Sequence, residues 1–201
     1  MKPPGADTVV VRDGDINTKS EPVRRSMEQR LLENVAALLE ARGIDGDVEH
    51  RRTRPLIHTT EGSVDAAADA ATDAFGVVSA SPARRVPPER GAIADALAET
   101  ARKCYDGGTY AVSARRAHKD HPFTSQELGE IGGAAIADAV ADDVDPAVDL
   151  DDPDLTFSVE VREDVAFLFL EKRPGPGGLP LGSQAPLVAL VSGGIDSPVA
   201  A

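Results

Sequence analysis

Apolar positions along the chain change period several times, and each change marks an element. "TVVVR" (8–12) is a short β-branched run, closed by the turn-like "DGD". Over 20–42 the apolar positions Met27, Leu31, Val35, Leu38 and Leu39 recur at helical spacing, and Gly43 supplies the stop. "DVEHRR" and "PLIHTT" read as two strands joined by a tight turn at 53–55. An Ala-rich stretch over 63–75 predicts a second helix, and "GVVSAS" (76–81) a fourth strand. The order is βαββαβ, the ferredoxin-like arrangement.

"PARRVPPERG" carries three prolines and reads as a linker or element break. A helix is expected over 89–104, then the strand "TYAVSARR" (109–116) and the loop "HKDHPF". "TSQELGEIGGAAIADAV" predicts a helix whose Thr124 and Glu127 have capping-box spacing. "LTFSVEVR" and "VAFLFLEKR" predict consecutive strands turning at Glu163 and Asp164. "PGPGGLPLGSQ" (174–184) reads as an interdomain linker. After it, "PLVALV" has the continuous apolar pattern of a strand buried on both faces of a parallel sheet. The expected fold class is α+β. The expected units are 1–77, 78–174, the linker 175–184, and a third domain begun over 185–201 and left incomplete.

Composition refines this picture. With aromatics at 3% and no Trp, the core of a 201-residue chain must come from Val, Leu, Ile and Ala. The single cysteine, Cys104, excludes an internal disulfide and suits a reducing compartment. The start "MKPPGADTVVVRDGD" has no apolar signal core, and no run approaches the length of a membrane span. A soluble cytoplasmic protein with no membrane partner is expected.

The formal net charge is -13, with 21 Asp and 13 Glu against 16 Arg and 5 Lys. Such Asp-rich, Lys-poor surfaces suit salt-accumulating cells, where ionic strength screens self-repulsion; an acidic mesophilic protein is the alternative. Net acidity does not exclude nucleic acid, because at molar salt the Debye length is only about 3 Å. Arginines also cluster locally: Arg24 with Arg25, Arg51 and Arg52 with Arg54, Arg84 with Arg85, Arg115 with Arg116. Each cluster is either a phosphate contact or a solvated face.

"SGGIDS" follows the "PLVALV" run and precedes Ser197-Pro198, a suitable helix start. Gly193 and Gly194 let backbone N–H groups turn inward as an anion nest, next to a helix N-terminus. Ser192 and Ser197 supply hydroxyl donors, and Asp196 can hold Mg2+ or order the loop. The loop lacks the Lys-Ser/Thr ending of a Walker A motif. A plain glycine turn is the other reading of these six residues.

"SGGIDSPVAA" resembles the signature of the PP-loop ATP pyrophosphatases, in the wording of the tRNA 4-thiouridine synthetases, or tRNA sulfurtransferases. "DGDINTKSEPVRRSMEQRLLENV" is similar to that family's N-terminal run into a basic helix. "YAVSARRAHKDHPFTSQELGEIGGAAI" resembles its THUMP domain, an RNA module, and "VDLDDPDLTFSVEVREDVAFLFLEKRPGPGGLPLGS" the end of THUMP and the following linker. The resemblance implies a ferredoxin-like domain and THUMP that together hold tRNA, with a PP-loop domain that uses ATP and Mg2+. It implies adenylation of a tRNA uridine, then sulfur transfer from a cysteine persulfide charged by a cysteine desulfurase or another donor. In some members the persulfide also feeds thiamine thiazole synthesis, and the family includes homodimers.

On this resemblance the ATP-loop residues are Ser192, Gly193, Gly194, Ile195, Asp196 and Ser197. The preferred RNA contacts are Arg115, Arg116 and Lys119, with Lys19, Arg24 and Arg25 as a second patch. The family's sulfur-carrying cysteines lie beyond the loop, so residues 1–201 alone are expected to bind tRNA without catalysing. Cys104 matches none of them and reads as a small buried residue. His118 and His121 have metal-like spacing, but with Asp120 and no cysteine they fit a polar RNA-facing loop better than zinc. A stand-alone, non-catalytic THUMP-type RNA-binding protein is the alternative function. A different PP-loop enzyme acting on a small amide-forming substrate leaves the THUMP-like stretch without a role.

Overall fold

Strand alternation divides the first sheet into two faces, and each face receives a different partner. The computed structural model describes residues 1–14, 16, 19–51, 54–117, 121–185 and 193–194, with His50 and Arg51 described as backbone only. The first unit contains β1 (Thr8–Asp13), α1 (Glu21–Ala41), β2 (Asp47–Arg51), β3 (Arg54–His58), α2 (Val64–Thr72) and β4 (Val77–Val86). Its strands lie in the order β2-β3-β1-β4, all pairs antiparallel, as the βαββαβ pattern predicts. Val9 and Val11 of β1 point under the helices, where Met27, Leu31, Val35 and Leu39 of α1 form one buried stripe. Helix α1 ends before Gly43, whose φ of +64 takes the chain into a region that other residues adopt at a cost.

The second unit follows as α3 (Arg90–Cys104), β5 (Thr109–Arg116), α4 (Ser125–Val140), β6 (Ala147–Val148), β7 (Leu155–Val161) and β8 (Ala166–Phe169). Strand β5 lies between β6 and β7 with both pairings parallel, while β7 and β8 are antiparallel. Helices α3 and α4 cover one face through Ile93, Leu97, Leu128 and Ile136, over Tyr110 and Phe157. The capping box at the start of α4 is complete: the Glu127 N–H donates to Thr124 Oγ1 (3.1 Å), and the Thr124 N–H donates to Glu127 Oε2 (2.6 Å).

One strand belongs to both units. Residues 79–83 of β4 pair with β1, and Arg84–Val86 pair with β8. The local pattern closes this strand at 81 and puts a linker or element break at "PARRVPPERG"; in the structure the strand continues through Pro82 to Val86. Pro82 is tolerated because the Ala83 carbonyl faces the Asp7 N–H (3.1 Å), which turns the Pro82 nitrogen to the opposite edge. On that edge Pro82 lies between the residues paired with β8 and those paired with a short strand, β9 (Arg173–Pro174).

The Gly/Pro segment after β9 is docked rather than loose. The Gly175 N–H donates to the Val78 carbonyl (2.9 Å), Gly177 N–H to Val77 (2.8 Å), and Gly76 N–H to Gly177 (2.7 Å). Leu179 joins the first core, and Asn34 of α1 holds the Leu181 carbonyl (3.0 Å). A Cβ on Gly175 would sit 2.4 Å from the Val77 oxygen, so only glycine permits this approach.

Candidate functional site

The helix-free face of the first sheet meets the corresponding face of the second unit. In a flat sheet β3 and β7 would lie about 19 Å apart, four strand spacings along the order β3-β1-β4-β8-β7. Instead Arg54 of β3 bonds Glu160 of β7 at 3.1 Å, so the sheet curls over through β4. Val10, Leu56, Ala83, Phe167 and Phe169 form a separate apolar cluster inside this fold-over.

Beside that cluster, period-2 alternation brings charges inward. Arg12 lies two residues beyond Val10, Arg54 two before Leu56, and Glu160 is opposite Phe167. The Glu160 carboxylate serves three guanidinium groups. Oε2 takes Arg54 at 3.1 Å and lies 4.0 Å from Arg12; Oε1 takes Arg162 Nη2 at 3.1 Å. Arg12 also donates to Ser81 Oγ (2.9 Å) and stacks over Phe169 at 4.7 Å, while Arg162 stacks over Phe167 at 4.7 Å. Burial holds the Arg12 pKa down to about 10, with Glu160 opposing and Arg54, Arg162 and Arg115 adding to the decrease. The group stays charged at neutral pH, in surroundings with more positive than negative charge.

A pocket of about 160 Å3 opens here, lined by Arg12, Arg54, Arg115, Lys172, Ser113 and Ser158 above Glu160 and Phe169. Arg115 and Glu160 are register partners across β5 and β7, as are Ser113 and Ser158. Arg115 makes no ion pair among the described residues; Lys172 lies 6.0 Å from the Phe169 ring. Ser113 also borders a larger cleft of about 690 Å3, along the outer edge of β5 and the Gly129–Gly133 face of α4.

The residues singled out from sequence are distributed unevenly. Arg115 faces the pocket. Arg116, the next residue on the strand, faces the other way and contacts the His121 carbonyl at 3.4 Å. His121 is itself engaged, with its ring Nε2 against the Arg162 carbonyl (2.8 Å) and its plane stacked on Phe123. Lys119, His118 and Asp120 lie outside the described residues. Lys19 is exposed; Arg24 and Arg25 pair along α1 with Glu28 and Glu21. In the ATP-loop stretch Gly193 and Gly194 are exposed, while Ser192, Ile195, Asp196, Ser197 and the "PLVALV" run lie outside the described residues. The Cys104 thiol is half buried against the Lys2 carbonyl (3.7 Å), and burial raises its pKa.

Arg12, Arg162, Lys172 and Glu160 were not among the sequence candidates. For Arg12, Glu160 and Arg162 the one signal is a charge within or at the end of an apolar strand, as in "TVVVR" and "VEVR"; Lys172, exposed and outside the strands, carries none.

A family model for the ThiI ferredoxin-like domain matches residues 8–81, and one for the THUMP domain matches residues 91–171. The chain is a ThiI-type ferredoxin-like domain joined to a THUMP domain. It is 59% identical over 201 residues to a protein of Halobacterium salinarum named "Probable tRNA sulfurtransferase", covering all of this chain and 50% of that one. Among solved structures, PH1313 from Pyrococcus horikoshii superimposes with a TM-score of 0.75 at 29% identity, over 88% of this chain and 58% of that one. A 4-thiouridine synthetase–RNA complex with bound ATP superimposes with a TM-score of 0.73 at 28% identity, over 97% of this chain and 48% of that one. The chain spans about half the length of the curated relatives it matches. The mixed α/β architecture expected from the sequence is therefore the one observed. Among the described residues, no helix is long and apolar enough to cross a membrane.

Proposed function

We propose that this chain is the tRNA-binding part of an ATP-dependent tRNA sulfurtransferase. One observation carries the reading: Arg12 and Arg54 of the ferredoxin-like unit and Arg115 of the THUMP unit converge on one pocket. Guanidinium groups from two domains, gathered around one carboxylate, suit an RNA backbone better than a small neutral ligand. The likeness to an RNA-bound 4-thiouridine synthetase supports the same partner.

In the whole enzyme, ATP with Mg2+ would convert a uridine carbonyl oxygen into an adenylate, expelling pyrophosphate. A persulfide's outer sulfur, supplied by a cysteine desulfurase or another donor, would then attack that carbon and expel AMP, and a second thiol would cleave the S–S bond, forming a disulfide and leaving the sulfur on the uridine. The same persulfide could also supply thiamine thiazole synthesis. The loop around Gly193 and Gly194 is the candidate for holding the ATP phosphates, an assignment that rests on sequence. This chain's part is to bind and orient tRNA; alone it should form no thiouridine.

The test is tRNA affinity across a KCl series for the chain and for Arg115→Ala. The substitution should weaken binding and reduce the slope of log affinity against log salt by about 1. Unchanged affinity and slope would remove Arg115 from the interface, and no binding of tRNA by the parent chain would overturn the reading.

A further inference from the structure

We infer that the apolar run "PLVALV" (186–191) seats on an apolar patch of the ferredoxin-like unit, which thereby anchors the segment carrying the ATP-loop candidate. The inference is independent of the RNA-binding reading above.

Three parts of the unit build the patch. Ala37 and Leu38 of α1, Ala74 and Phe75 after α2, and Leu181 of the docked segment line a pocket of about 350 Å3. It lies among the helices of the first unit, not on the helix-free face that holds Arg12 and Glu160. Phe75 is 56% exposed and Leu181 70%, whereas Leu179, two residues earlier, packs against the first core. No cation is among the described lining residues, and the carboxylate of Asp73 at its rim is already paired with Arg42 at 2.5 Å. A charged ligand therefore finds no free counter-charge there. What such a surface can take out of water is an apolar side chain.

The course of the chain chooses the occupant. Asn34 holds the Leu181 carbonyl (3.0 Å), so this residue is fixed at the pocket. The Ser183 N–H then donates to the Pro180 carbonyl (3.0 Å), closing a turn with Gly182 in its third position at a φ of +78. The turn reverses the chain beside the pocket. Residues 186–191 lie outside the described residues, and the run begins five residues after Leu181. From Ser183 to Leu187 is four residues, a reach of up to about 14 Å, enough to cross a pocket of this size.

The run also has the need that the patch meets. A strand apolar at every position requires cover on both faces. A parallel sheet gives it no neighbour within about a dozen residues of itself, because of the crossover that must intervene. The exposed apolar surface nearest to it along the chain is Leu181, with Phe75 next to it. Seated there, the run keeps the loop that follows it on the helical side of the first unit.

The test is methyl NMR on the 201-residue chain. The Phe75 ring protons should give nuclear Overhauser cross-peaks to methyl groups of Leu187, Val188, Leu190 or Val191, unchanged on dilution. Phe75→Ala and Leu190→Ala should each lower Tm by about 2–4 °C, and the double substitution by no more than the larger single effect. Absence of the cross-peaks, or Tm losses that simply add, would overturn the inference. Cross-peaks seen only between differently labelled copies, and fading on dilution, would give the seat to a second copy and overturn it too.

Discussion

Arg54 donates to Glu160 at 3.1 Å across a separation of 106 residues, tying the third strand of the ferredoxin-like domain to the THUMP sheet. Glu160 is 7% exposed and balances two further guanidinium groups. Glu160→Gln leaves three buried or half-buried cations without their counter-charge. The expected cost is about 3 kcal/mol, a fall in Tm of roughly 6–12 °C for a chain of this length. A thermal melt at fixed KCl measures it, and a fall of under a degree would mean that the carboxylate is not needed there.

Phe167 is fully buried in the cluster with Val10, Leu56 and Ala83 that joins the two domains. Phe167→Ala should cost about 3–5 kcal/mol, most of it at this joint. Calorimetry should show one transition for the parent chain and, in the variant, a THUMP transition separated from that of the ferredoxin-like domain. A single undivided transition in both would show that the shared strand β4 couples them without the aromatic packing.

Gly175→Ala places a methyl group 2.4 Å from the Val77 carbonyl oxygen, a backbone atom that cannot swing aside. The segment after β9 should detach, exposing the Gly175 and Gly177 amides to hydrogen exchange while those of α4 stay protected. Unchanged exchange at both amides would count against the docked strap.

The Glu127 pKa is held below its ordinary value of 4.5, first by the Thr124 backbone N–H and then by the Thr124 hydroxyl. A carboxylate depressed in the folded state adds stability above its unfolded pKa, and that stability is lost as pH falls through the folded value. The start of α4 should therefore loosen below about pH 4.5. Thr124→Ala should cost about 1 kcal/mol at neutral pH and flatten this acid response. Melting curves from pH 6 to pH 3 for the two proteins provide the comparison.

The charge of -13 predicts that Tm rises between 0.1 M and several molar KCl, as screening reduces repulsion among the 34 carboxylates. A flat or falling curve would place the acidity outside any adaptation to salt.

The order of elements was legible because each carries its own periodicity. The stripe from Met27 to Leu39, the Ala-rich α2 and the Thr124–Glu127 box fall where the pattern put them. The misplaced boundary at Pro82 shows what local rules miss. Proline ends a strand only if its nitrogen faces a partner, and that depends on β8 and β9, about ninety residues away. The pocket was partly legible for the same reason. Arg115 lies in a run with a recognisable RNA-module pattern, whereas Arg12, Glu160 and Lys172 become neighbours only when the sheet curls. Adjacent arginines also proved a poor guide, since Arg115 and Arg116 point to opposite faces of one strand.

The docked strap has a consequence in time. Strand β9 and the segment behind it complete the edge of the ferredoxin-like domain, yet they are made roughly ninety residues after β4. At about 5–20 residues per second, a ribosome needs roughly 4–17 s to cover that interval. Throughout it the first domain waits with the Val77–Val78 edge bare, and the whole THUMP domain must emerge before that edge closes. Of these two domains, the one translated first is thus the later to be finished.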